Sequence, residues 1–324
     1  PLPVPSGVTA PRDVEEHVDA ADVRPGRKKA LEAHPSPQRM FYRWQFAACL
    51  LWFLFLRARM GRNFNLLGTA SVCTRPSWMP ARFLLLLHRL RVPVLVGMPT
   101  FLGLAAVRHN CRPTRLMTAV IASAYHLLES SLTTRHGEYP LLYNVWGMLL
   151  PDAYAHAVSL GIAIHFVLSS GIAKLQVGGL SWLGADTMRT YLDCYRSSRS
   201  SPPLSRSMNL WLSRRAWATT SISIATVALE CFLIPGTLLM PPIWRNIGSA
   251  CMIGMHLGIA LVMSLQVGSV FLTSIPSYLV GFNCRARFGS RPWYVAAIVG
   301  LAPSVFAAVS GHPLGESWPL TPIA

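Results

Sequence analysis

Lys174 is the only lysine beyond position 29 in a chain of 324 residues, and every other strong cation after that point is an arginine. It closes an apolar stretch running from Ala153 to Ala173. A desolvated lysine can lose its proton near neutral pH, whereas a guanidinium cannot. A lone lysine at the end of a membrane-length run is therefore a candidate general base or anion ligand. The same placement also suits a snorkelling residue, with its stem in lipid and its ammonium at the interface.

Two further sets of ionisable groups lie inside apolar runs. Glu230 and His256 flank a turn marked by Met240-Pro241-Pro242 and Arg245. In a tight antiparallel hairpin centred near residue 243, mirror counting puts both at similar depth and predicts that they pair. A buried carboxylate–imidazole pair can hold or exchange a proton, because each group's protonation depends on the other's charge. It can equally be a structural lock between two helices. His126 and Glu129 lie one helical turn apart on one face, which fits an interhelical hydrogen bond or a proton-handling pair. His165 stands nine residues before Lys174, on the opposite face of the same helix and about 13.5 Å away along its axis. Any partner of Lys174 is thus expected from another helix or from the Gly178–Gly184 turn.

The elements that hold these residues must be membrane helices. Hydrophobic residues make up 52% of the chain and charged residues 13%, with a mean hydropathy of +0.38. A soluble globular chain carries about 25% charged residues, so much of the usual polar coat is missing. The formal charge of +16 comes from arginines lying mainly between apolar runs. Contact with lipid headgroups explains that placement better than a nucleic-acid surface, so no nucleic-acid partner is expected. Consecutive loops are both basic, which leaves the orientation open.

A spanning helix needs about 20 apolar residues. Candidate spans read as Phe41–Phe55, Phe83–Val107 with kinks at Pro93 and Pro99, Leu116–Leu132, Ala216–Met240, Ile247–Leu265, Val267–Phe282 and Trp293–Ser310. The stretch from Tyr139 to Lys174 is too long for one span, and Pro151 is expected to divide it. The predicted fold class is all-α, a polytopic bundle of about seven to eight transmembrane helices over 39–311. Residues 1–38, proline-rich and charged, read as a disordered tail, and 312–324 as a C-terminal tail. The polar interruption from Gly178 to Arg215 contains SSRSSPPLSRS (197–207), a flexible linker by composition. Seven cysteines without CxxC spacing support no zinc site. The chain carries no P-loop, GxSxG, HExxH or dinucleotide fingerprint.

The residues around Lys174 carry a resemblance. HFVLSSGIAKLQVGGLSWLGADTMRTYL (165–192) resembles the signature of the membrane domain shared by vitamin K-dependent gamma-carboxylase and the horizontally transferred transmembrane (HTTM) proteins. The matching features are Gly171, Lys174-Leu175, Trp182, Gly184 and Tyr191-Leu192. Upstream, RHGEYPLLYNVWGMLLPD (135–152) is similar to that family's Gly-acid step and the hydrophobic segment after it. Downstream, residues 228–271 are similar to its acid-helix, turn and histidine-helix. The likeness covers about 115–284.

The resemblance implies that Lys174 is the base that initiates oxidation of a vitamin K-type quinol, with Glu230 and His256 handling charge. It also implies ligand-binding positions at Trp182, His136 and Glu138. Ala173-Lys174 stands where the carboxylase has two adjacent lysines, and its important histidine aligns near Gly137 beside His136. With the chain ending at Ala324, no large lumenal domain is expected, and carboxylation of protein glutamates is not the expected reaction. The expected activity is therefore carboxylase-related chemistry on a quinol-like, lipid-soluble substrate. The alternative is a non-enzymatic lipid-binding, transport or membrane-complex accessory protein that uses Lys174 to hold an anionic headgroup. Both place the protein in a membrane as a multi-pass chain among lipids.

Overall fold

A computed structural model describes residues 40, 42–51, 53–54, 80–130, 139–197, 203–262, 275, 278 and 286–310. They belong to one unit spanning 38–324. Every regular element among them is helical. The expected tails, the Val267–Phe282 span apart from 275 and 278, and the site positions His136 and Glu138 lie outside the described residues.

Helix α1 covers 42–51, α2 Ala81–Arg89, α3 Arg91–Val107, α4 Arg112–Ser130 and α5 Tyr139–Gly147. The expected Phe83–Val107 span is broken at Leu90, ahead of Pro93. Pro93 then falls in the first turn of α3, where its missing N–H has no intrahelical partner to lose. Pro151 does divide the long stretch, because it precedes α6, Asp152–Gly178. At 27 residues α6 is about 40 Å long. A 3₁₀ turn, Gly179–Leu183, leads to α7 (Ala185–Ser197), α8 (Pro203–Ser213) and α9 (Ala216–Ala228). Helix α9 continues through a π turn, Leu229–Leu233, into Ile234–Gly236, and α10 (Pro242–Val262) and α11 (Arg291–Ser310) follow.

Three stretches are long and apolar enough to cross a membrane: Asp152–Leu183, Ala216–Gly236 and Trp244–Val262. That number, among the described residues, is smaller than the seven or eight expected. Helix α3 is apolar but only 17 residues long, and α2 only nine.

Two apolar cores organise the fold. One gathers Phe46, Phe53, Met98, Leu102, Tyr125 and Met148 from the first half of the chain. The other gathers Leu160, Ile164, Val167, Ile234, Met252 and Ala296. Helix α6 supplies both, since Ala155 belongs to the first and Ala157 to the second. Helices α6 and α11 run parallel and very close. A Cβ on Gly161 would lie 2.8 Å from the Ala296 carbonyl, and one on Gly300 would lie 3.1 Å from Ile164 Cγ2. Small residues permit such close approach of two helix backbones. Higher up the same seam, His165 Nδ1 lies 2.8 Å from Ser304 Oγ, and Ser169 Oγ lies 2.9 Å from that hydroxyl.

The polar segment before Arg215 is not a linker throughout. Residues 203–207 open helix α8, whose Ser205 hydroxyl donates to Leu261 O and whose Asn209 Nδ2 donates to Val262 O at 2.7 Å. The last carbonyls of α10 have no intrahelical donors of their own. Serine and asparagine, which favour a coil by composition, are here the caps that order the segment.

Arginines close other helix ends. Arg115 Nη1 donates to Met148 O at 2.6 Å while its guanidinium sits 5.1 Å from the Tyr42 ring centre, and Tyr42 donates to Asp152 at 2.9 Å. Arg245, 1% exposed, donates through Nε to Thr237 O and Met240 O and through Nη2 to Leu238 O and Ala286 O. The Trp293 indole N–H adds a 2.8 Å bond to Leu238 O. Hydrogen bonds from a charged donor contribute about 1.5–3 kcal/mol each, and orphaned buried carbonyls are costly. Arg245→Ala should therefore lower stability in detergent by about 3 kcal/mol or more. Arg245→Lys, with one point charge for several carbonyls, should fall between the two in a thermal melt. A melt unchanged in the alanine variant would show that these carbonyls find other partners.

Candidate functional site

The site begins with a helix end that turns sharply. Gly179 adopts φ 56°, a left-handed conformation that glycine takes without a Cβ clash. Its N–H still donates to Leu175 O. Gly178 carries the second requirement, since a Cβ there would collide with the Trp182 indole. Together these glycines fold the 3₁₀ turn back over α6 and bring Trp182 above the end of the apolar run. The Trp182 ring centre then lies 5.5 Å from Lys174 Nζ and 5.7 Å from the Tyr191 ring. Farther along, Ser223 Oγ donates to Gly184 O at 3.3 Å, fastening the turn to α9.

The second half of the site comes from the π turn. Pro235 has no N–H for an α-helical bond four residues back. Just before it, the Ile234 N–H reaches Leu229 O, five residues back. Such widened turns recur at functional positions because they re-aim side chains. Here the widened turn faces Gly171 of α6. A Cβ on Gly171 would lie 2.6 Å from Cys231 Sγ and 2.9 Å from Glu230 Cβ. The bare glycine thus lets the backbone carrying Glu230 lie directly against α6, one turn below Lys174.

The result is an ion pair. Lys174 Nζ lies 2.6 Å from Glu230 Oε2 and donates a second bond, also 2.6 Å, to Ser170 Oγ. Lys174 is 18% exposed at the side chain and Glu230 6%. Carboxylate, hydroxyl and aromatic face therefore surround the ammonium, and a small opening remains. Ammonium–carboxylate and amine–carboxylic acid are both net neutral. A proton can therefore move along the 2.6 Å contact without leaving net charge in apolar surroundings.

Glu230 and His256, expected to approach directly or through one water, share no direct hydrogen bond among the described residues. Glu230 bonds Lys174 on α6, whereas His256 Nε2 lies 2.8 Å from Tyr278 Oη with the two rings stacked. Mirror counting about residue 243 fixes depth along two straight helices, but it does not fix the direction a side chain takes around the axis. The π turn and Pro235 change that direction. The expectation that Lys174 draws its partner from another helix or from the Gly178–Gly184 turn is met by both Glu230 and Trp182. His165 faces Ser169 and Ser304, away from Lys174. His126 is buried on α4, and Glu129's side chain lies outside the described residues.

Gly171 stands in the sequence only as part of the HTTM resemblance, and Ser170 is a site residue that the sequence reading does not name. Ser170 had a legible signal, four residues before the lysine on one helical face. So did the ion pair, since Lys174 and Glu230 carry opposite charges in neighbouring apolar runs. Among the described residues, no three or more His, Cys, Asp or Glu side chains group to hold a metal ion. No family model matches the chain, and no curated protein or solved structure matches it.

Breaking a buried pair costs about 3–5 kcal/mol, whereas replacing both partners by apolar groups is often near neutral. Glu230→Leu and Lys174→Met should each destabilise the protein by about 3 kcal/mol, with the double variant recovering most of the loss. Thermal melts of the four proteins measure this coupling, and additive losses would show that the pair does not hold the helices. Gly171→Ala should cost about 1–3 kcal/mol through overpacking. Adding Cys231→Ala, which removes the nearest clashing atom, should relieve part of it.

Proposed function

We propose that the chain is a multi-pass membrane protein of the HTTM/carboxylase type, with about seven to eight spans, whose Lys174–Glu230 pair exchanges a proton with a quinol-like, lipid-soluble substrate. The observation that carries this reading is the 2.6 Å contact between Lys174 and Glu230 beside an aromatic face. A base for an acidic ring hydroxyl must accept a proton in a place where water does not compete. Lys174 in its amine form meets that need, and Glu230 is the group that takes up the lysine's own proton to generate it. Trp182 gives the ring of such a substrate a flat surface to lie against. The likeness of residues 165–192 to the HTTM signature agrees with this assignment, and the three membrane-length helices supply the apolar surroundings. His256, bonded to Tyr278, stands in this reading as a structural element of the second core, and His136 and Glu138 as further candidate ligand contacts.

The same geometry favours one other reading. With Glu230 as its permanent counter-ion, Lys174 remains a fixed cation and holds an anionic headgroup without turnover, as a lipid-binding, transport or accessory protein would.

Lys174→Arg separates the two, since arginine keeps the charge but cannot act as a base. In the first reading, quinol-dependent turnover by the purified protein falls at least about 100-fold in Lys174→Arg, the scale of a lost general base. In the second, Lys174→Arg retains the co-purifying anionic lipid seen by mass spectrometry and Lys174→Ala loses it. Full quinol turnover by the arginine variant would overturn the base assignment.

A further inference from the structure

Two short helices, α7 and α8, stand in the chain between the membrane-length stretches Asp152–Leu183 and Ala216–Gly236. Side-chain hydrogen bonds tie α8 to the end of Trp244–Val262 and to α7. Ser205 and Asn209 of α8 cap Leu261 and Val262, while Arg189 Nε of α7 donates to Ser213 O at 3.0 Å, two residues before Arg215. At 13 and 11 residues, α7 and α8 are too short to span. They connect Asp152–Leu183 to Ala216–Gly236, and α7 packs against α9.

This connecting segment is strongly basic. Residues 185–215 contain six arginines and two aspartates, a net charge of +4. Both aspartates are already engaged, Asp186 by Arg189 at 3.0 Å and Asp193 by Arg196 at 3.4 Å. Two of the other four arginines, Arg214 and Arg215, are adjacent in Trp211-Leu-Ser-Arg-Arg-Ala-Trp217, the joint between α8 and α9. Arg215 lies 4.1 Å from the Trp211 ring centre and donates to Trp211 O at 2.9 Å. The two indoles meet edge to face at 6.5 Å. Both are exposed, Trp211 at 48% and Trp217 at 66%. Arg214 is exposed beside them and makes no hydrogen bond or ion pair among the described residues. Indole rings at the boundary of a spanning helix settle at headgroup level, where one side is apolar and the other wet. Arginine is suited to phosphate because its planar fork donates two bonds at once.

From this joint we infer that the protein carries a binding site for an anionic phospholipid, with Arg214 and Arg215 on the phosphate and Trp211 and Trp217 against the glycerol and upper acyl chain. The site rests on the reading of the chain as a membrane protein and is independent of the chemistry at Lys174, which lies deeper on α6. A zwitterionic lipid offers the same acyl chain and phosphate, but its ammonium opposes the arginines. The net negative headgroup is thus the discriminating feature. The affinity must also fall with salt, because the contact lies at the exposed edge of the molecule.

The test uses the full chain purified in mild detergent, titrated with phosphatidylglycerol or with phosphatidylcholine of the same acyl chains. Bound lipids are counted by native mass spectrometry. With two arginines at the surface, phosphatidylglycerol should bind about 30-fold more tightly. Arg214→Gln should weaken it about fivefold, and Arg214→Gln/Arg215→Gln should abolish the preference. Arg291→Gln, outside this joint, should leave it intact. Equal binding of the two lipids, or a preference that survives in the double variant, would overturn the site. Should the double variant fail to fold, the exposed Arg214→Gln alone decides, and no change in its lipid preference overturns the assignment. A chain that stays monodisperse in water without detergent would instead overturn the membrane reading on which the site rests.

Discussion

A carboxylate in apolar surroundings must have a counter-charge within bonding distance, and Glu230 has Lys174 at 2.6 Å. Much of the local architecture is what that contact requires. Helix α6 must lack a side chain at Gly171, or the backbone carrying Glu230 could not approach. The helix bearing Glu230 must widen by one residue at Leu229–Leu233 to aim the carboxylate. Beyond the lysine, the paired glycines must reverse the chain so that Trp182 covers the ammonium. Three features that look unrelated in the sequence thus serve one electrostatic demand.

The arginines answer a related demand, that of helix ends. An α-helix leaves its last carbonyls without intrahelical donors, and in a low-dielectric setting they cannot rely on water. Arg115, Arg189, Arg215 and Arg245 each donate to carbonyls in the last turn of a helix or just beyond one. Their positive charge also complements the negative pole of the helix dipole. A basic composition that resembles a nucleic-acid signal is therefore spent in part inside the fold. Others remain outward, among them Arg82, Arg108, Arg112, Arg214 and Arg291.

Polar residues in the segment before Arg215 show how composition misleads when taken alone. Serine, proline and arginine in 197–207 fit a coil because none of them builds a core. Ser205 and Asn209 nonetheless satisfy the end of α10, 53 to 56 residues away in sequence. An exposed serine and a capping serine have the same local sequence. Only the arrival of an orphaned helix end distinguishes them.

Composition and apolar run length by themselves determined the all-helical class, the break at Pro151 and the isolation of Lys174, because these depend on local properties. Proline removes an N–H wherever it stands, and an apolar run must be buried whatever its neighbours. Helical periodicity alone also placed His165 on the face away from Lys174. The choice of partner for Glu230 was not legible in that way. Residues 230 and 256 share a hairpin, and a count from its turn sets their depth. Direction around the helix axis depends on the π turn and on how closely α6 can approach. That approach is decided at Gly171, 59 residues before Glu230, and so by tertiary packing alone. Charge told which residues needed partners, and the geometry of three packed helices told which partner each could reach.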